Sequence, residues 1–248
     1  MFKSLTLILS AMIIFVATTT KAQEEIHQAL NPKRQAIVTI SSLTAIGDLV
    51  KLKPALNTGL DAGLTVNEIK EVLMHLYAYC GFPRSLRGIQ TFITVLDERK
   101  AKGITDTMGR NASEVSSKLS KYERGKKNLE KLAGKPEQGQ PKGYAAFAPE
   151  IEIFLKEHLF ADLFDRDILT YAERELITVS VNASIGGVEP MLQSHMGLSL
   201  TSGISPKELA HLVKLIERNV GSKEADAAQT TLNNVFKSRG LSAELTPR

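Results

Sequence analysis

The chain has one cysteine, no tryptophan, few aromatic residues and no long surplus of either charge. A single cysteine cannot close an intramolecular disulfide, so the fold must rest on its core. In an exported chain an odd cysteine is a free thiol or an intermolecular link. The five histidines form no H-x3-H or similar cluster, and no metal or other cofactor is expected. Net charge is +4 over 248 residues, and it falls to +2 once Lys3 and Lys21 are removed with residues 1–22, which carry no acid. That is too near neutral to argue for nucleic acid or an anionic membrane surface as partner.

No apolar run reaches the roughly 20 residues of a spanning helix. The longest mostly apolar stretch runs from Leu5 to Ala17, behind Lys3 and ahead of TTTKAQ. A positive start, a short hydrophobic region and small residues at Thr20 and Ala22 describe an export signal, not a membrane anchor. The expected mature chain starts near Gln23 and is periplasmic.

A second copy of the first half is present. Shifting the chain by 140 residues places Arg34, Ile37, Gly47, Leu60, Gly63, Glu68, Gly81, Thr91 and Val95 on Arg174, Ile177, Gly187, Leu200, Gly203, Glu208, Gly221, Thr231 and Val235 without a gap. Two helix starts match within that register. Gly63-Leu-Thr65-Val-Asn-Glu68 faces Gly203-Ile-Ser205-Pro206-Lys-Glu208. Each is a helix-ending Gly, then a Thr or Ser cap answered by Glu three residues on, and Pro206 sits where a helix tolerates proline. Ile69, Val72, Leu73 and Leu76, like Leu209, Leu212, Val213 and Ile216, follow helical spacing. RQAIVTISSLTAIGD and RELITVSVNASIGG are long, free of breakers and rich in small residues, which favours helix over strand. The expected organisation is all-α: a signal at 1–22, a first unit at 31–100, a polar linker at 101–120 and a second unit at 121–238.

Residues 75–83 read HLYAYCGFP, a His-x3-Tyr-Cys-Gly-x-Pro turn. With KYERGKKNLEKLAG, FLKEHLFADLFDRDILTYAERELITVSV and HMGLSLTSGISPKEL, it resembles the carboxymuconolactone decarboxylase family, whose wider group includes the alkylhydroperoxidase D-like proteins. The resemblance implies an alkylhydroperoxidase D-like helical bundle, here in tandem, forming a homo-oligomer: a trimer with pseudo-sixfold symmetry. It implies a small carboxylate or lactone as substrate, and cofactor-free proton transfer or decarboxylation as reaction.

By that resemblance His195 is the functional histidine, eight residues before Gly203, and Glu175 is its proton-relay partner; Glu175 also reads as an acid near a helix start. The corresponding place in the first unit is Ala55. The family's peroxidase branch needs a Cys-x-x-Cys pair, but those places hold Val188 and Met191, or Asp48 and Lys51, so only one-thiol chemistry at Cys80 stays open. Cys80 reads equally as a packed core residue. Arg174 could clamp a substrate carboxylate through two parallel hydrogen bonds or make an internal ion pair. Glu189 is a further acid six residues before His195. His75 and Tyr79, replaced in the second unit by Leu215 and Asn219, would form the opposite wall. The first unit thus keeps one half of the expected site and the second keeps the other. Three functions are compatible with this pattern: a decarboxylase-like enzyme, an antioxidant peroxidase working through Cys80, and a non-enzymatic oligomeric binding ring.

Overall fold

A computed structural model describes residues 29–241; the expected export signal at 1–22 lies outside the described residues. The described residues are helical and contain no strand, and none of their helices is long and apolar enough to cross a membrane. In chain order the helices are α1 (Pro32–Ile46), α2 (Leu49–Asp61), α3 (Val66–Ala101), α4 (Lys121–Ala133), α5 (Tyr144–Phe147) and α6 (Pro149–Phe154). A π-helical segment, Leu155–Leu163, continues from α6. Then come α7 (Tyr171–Ile185), α8 (Glu189–Thr201), α9 (Pro206–Asn219) and α10 (Ser222–Ser238).

Local chemistry sets the helix starts. Thr65 with Glu68, Ser120 with Glu123, Thr170 with Glu173 and Ser205 with Glu208 each form a reciprocal capping box, which satisfies two orphan N–H groups at once. Glu173 is therefore occupied by its own helix start, and only Glu175 is left for the interior. Asn31 and Asp48 cap α1 and α2 from their side chains. Helix α3 is two helices joined at Gly81, whose φ of 77° and ψ of 162° turn the chain after Cys80; a left-handed φ is cheap only for glycine.

The 140-residue register reappears in the elements. The starts of α2 and α8 differ by 189 − 49 = 140 residues, those of α3 and α9 by 206 − 66 = 140, and those of α1 and α7 by 171 − 32 = 139. Helices α1 and α7 pack against each other at the centre, and each also receives the third helix of the opposite half: α3 lies on α7 and α9 on α1. One apolar core runs through both halves, from Ile37, Leu52 and Leu73 to Leu176, Leu212 and Leu232. The crossing of α3 onto α7 decides the site, because it carries side chains of residues 66–80 to those of 171–185.

The π-helical segment was not foreseen from the sequence. It lies against α4, and a Cβ on Gly125 would stand 1.8 Å from the Lys156 carbonyl oxygen, so only glycine permits this approach. Asn128 Nδ2 donates to the Phe160 carbonyl at 2.7 Å, satisfying a backbone acceptor of the widened helix. A second apolar cluster of Leu132, Leu159, Phe160, Leu163 and Phe164 fills this contact and meets Tyr79 at its edge. Residues 104–118 run without regular structure, yet are fastened to α3, where Val66 and Asn67 donate backbone N–H groups to the Thr107 and Met108 carbonyls.

Candidate functional site

Along the buried face of α3, Glu71, His75 and Tyr79 recur at every fourth residue, which stacks them on one side of the helix. Opposite them α7 presents Arg174, Glu175 and Thr178, and α8 contributes His195. Arg174 and Glu71, both fully buried, pair at 2.8 Å. The same guanidinium donates to the Arg166 carbonyl at 2.5 Å and to His75 Nδ1 at 3.2 Å. An arginine has only donors, so His75 Nδ1 must be the acceptor. The proton of a neutral ring then sits on Nε2 and is donated to Thr178 Oγ1, 3.1 Å away. Thr178 in turn donates to the Arg174 carbonyl at 2.9 Å. The chain of donors closes without conflict, and it locks His75 neutral. Burial, then the Arg174 charge, then His195 hold its pKa well below the usual histidine value. A ring so fixed has no proton to exchange near neutrality. His75 is a positioning residue.

His195 is placed differently. Its side chain keeps 14 % exposure while Glu175 is fully buried, and Nδ1 lies 2.9 Å from Glu175 Oε2. With Nδ1–H donated to the carboxylate, Nε2 is left as the working nitrogen. This is the arrangement by which a carboxylate fixes the tautomer and orientation of an imidazole. The Tyr79 ring stands edge-on to the His195 ring with centroids 6.0 Å apart, and 5.4 Å from that of His75. Among the described residues buried Glu175 Oε1 has no hydrogen-bond partner, and the buried Tyr79 hydroxyl has Thr178 as a neighbour but makes no well-formed hydrogen bond. Burial, and behind it the Glu175 charge, raise the Tyr79 pKa, so the phenol is a proton donor at any ordinary pH.

The remaining sequence candidates fall outside this arrangement. Arg174, considered as a carboxylate clamp, has no exposed surface and is committed to Glu71; it is an internal ion pair. Glu189 is exposed on the first turn of α8, where Oε1 accepts from the Gly187 N–H at 3.1 Å as a local cap. Cys80 is half-buried against the core, and its thiol donates to the Leu76 carbonyl at 3.2 Å. Burial pushes its pKa up to about 11 against the weaker opposing pull of Arg84. Only about one molecule in ten thousand would carry a thiolate at pH 7, and the thiolate is the nucleophile. The structure thus favours the packed reading of Cys80.

Glu71, Thr178 and Arg166 were missed in the sequence. A charge at position 71, within the apolar stripe of Ile69, Val72, Leu73 and Leu76 and four residues before His75, was the available signal. Its partner Arg174 lies 103 residues away, and no local pattern names it.

The all-α bundle is the architecture that the resemblance implied. Residues 14–91 match the model of the Carboxymuconolactone decarboxylase family. The match contains Glu71, His75, Tyr79 and Cys80; it stops short of Glu175 and His195. It begins inside the segment expected as an export signal. No curated protein matches the chain.

Proposed function

We propose that this chain is a cofactor-free proton-transfer enzyme acting on a small carboxylate or lactone, with decarboxylation as its reaction. The supporting observation is the Glu175–His195 pair with the Tyr79 ring set edge-on against His195. A carbonyl oxygen of the substrate accepts a hydrogen bond from Tyr79. The bond to the departing carboxylate breaks, CO₂ leaves, and the electron pair moves through carbon onto that oxygen, where the phenol stabilises the growing charge. The His195 imidazolium, held by Glu175, then delivers the Nε2 proton to carbon. His75 keeps the Tyr79 wall in place and takes no proton. Each component is ordinary acid–base chemistry, with general acid catalysis worth roughly 10²–10⁴-fold.

We place this activity in an exported, periplasmic protein that assembles as a trimer, with no nucleic acid or membrane as partner. Support for assembly comes from Phe82, Leu86 and Ile93, all exposed on the second half of α3; exposed apolar clusters of this kind mark interaction surfaces. The test is CO₂ release from a panel of small keto acids and carboxylated lactones, followed with the wild type and His195→Ala. Turnover that falls 10²-fold or more in His195→Ala, with unchanged thermal unfolding, is the expected result. No turnover across the panel, with saturable binding of the same compounds, would instead make the protein a binding ring.

A further inference from the structure

The buried ion pair of α3 and α7 is unequal in charge. Glu71 faces two guanidinium groups: Arg174 Nη2 at 2.8 Å, and Arg166 Nε, which contacts both carboxylate oxygens at 3.0 and 2.9 Å. One carboxylate against two arginines leaves a full positive charge. Arg174 is enclosed, but the Arg166 side chain is 37 % exposed and only its Nε is engaged, so both Nη groups make no hydrogen bond among the described residues. Lys70 adds a second cation, and its ammonium is held at 3.1 Å by a neutral group, Asn67 Oδ1. These groups line a cavity of about 220 Å³, whose apolar wall is Met74 and Ile168. Pockets for drug-sized ligands run to roughly 300–1,000 Å³, so this one suits an occupant of a few heavy atoms.

At the other crossing Arg34, the repeat counterpart of Arg174, pairs with Glu208 at 2.5 Å, while His211 stands where Glu71 does and Ala210 where Lys70 does, so the buried carboxylate and the added lysine are not repeated there.

We propose that the cavity is a binding site for a small aliphatic carboxylate, separate from the His195 centre. The carboxylate takes the two outward Nη groups of Arg166 side by side, the geometry for which a guanidinium is suited. Lys70 adds its charge from the α3 side, and a short alkyl tail lies on Met74 and Ile168. The bound anion would balance the arginine–glutamate–arginine cluster and so stabilise the attachment of α3 to α7, on which the Tyr79 wall depends. The site uses none of the residues assigned to proton transfer.

The experiment is a titration of the full chain with propionate at constant ionic strength, in chloride as background, observed through [¹³C-methyl]methionine spectra and thermal unfolding. The expected result is a saturable shift of the Met74 methyl and a rise in unfolding temperature, with affinity three- to tenfold weaker in Lys70→Gln and in Arg166→Lys. Lys70 is exposed, so its replacement leaves the core intact if the arginine variant fails to fold. His195→Ala should bind propionate as the wild type does, which separates this site from the reaction centre. Absence of a saturable Met74 shift, a shift unaltered in Lys70→Gln, or stronger binding of inorganic phosphate than of propionate at the same methyl would overturn the assignment.

Discussion

Where α3 crosses α7, the chain has Glu175, His195, His75 and Tyr79; where α9 crosses α1, the matching positions are Gln35, Ala55, Leu215 and Asn219. The two crossings share packing and register, but not chemistry. At the second, Gln35 Nε2 donates to the Leu30 carbonyl at 2.7 Å and Asn219 Nδ2 to Thr39 Oγ1 at 3.2 Å. The Leu30 N–H is answered by His211 Nδ1 at 3.1 Å. These three groups are joined to neighbours, although Ser41 Oγ and Thr44 Oγ1 of α1 are buried without a partner among the described residues. At the first, Glu175 Oε1 stays unanswered while the other oxygen of the same carboxylate holds His195. The difference marks the first crossing as the candidate reaction centre: there, and not at the second, an imidazole, a carboxylate and a phenol meet.

The comparison is broken most severely through the arginines. Arg174→Met leaves Glu71 without its buried partner and should cost about 3–5 kcal/mol, whereas Arg34→Met, at a partly exposed pair, should cost about 1 kcal/mol or less. Urea unfolding of the two variants measures both, and equal losses would show that the crossings are not unequal in the way described.

A smaller effect follows from His75. Its pKa in the folded chain lies well below that of the unfolded chain because it is buried neutral. Below about pH 6.5 the unfolded chain therefore binds the extra proton, and stability falls as the pH is lowered toward the folded value. The slope is up to about 1.4 kcal/mol per pH unit. His75→Leu, which copies Leu215, should remove this part of the slope between pH 6.5 and pH 5, and urea unfolding at several pH values checks it. An unchanged slope would mean that His75 is protonated in the fold.

The smallest effect concerns Cys80. Cys80→Ala should shift stability by about 1 kcal/mol or less, the loss expected of a half-buried atom that packs without reacting. It should leave proton-transfer activity as in the wild type. A peroxidase activity supported by external thiol and lost in this variant would restore the redox reading.

Much of this arrangement could be read from the chain. The capping boxes at Thr65 and Ser205 are local, three residues from hydroxyl to carboxylate, so their chemistry is printed in order. The 140-residue register of the helix starts was legible because it has no gap. His195 and Glu175 emerged from the resemblance and are indeed 2.9 Å apart. What stayed hidden depends on distant chain. Arg174 looked available because Glu71 approaches it only through the α3–α7 crossing. The π-helical segment arises where Gly125 lets α4 touch it. Glu189 looked like a site acid by its nearness to His195 in sequence, but six residues along a helix point it to another face.

The central claim is that the two halves build one reaction centre between them, with Tyr79 from the first and His195 from the second. A double-mutant cycle with Tyr79→Phe and His195→Ala, read as turnover of the best substrate in the panel, tests it most directly. Groups in one centre should couple by roughly 0.5–3 kcal/mol, so the double variant should be little worse than His195→Ala alone. Losses that simply multiply, with coupling below about 0.3 kcal/mol, would place the two residues in separate roles and contradict the account.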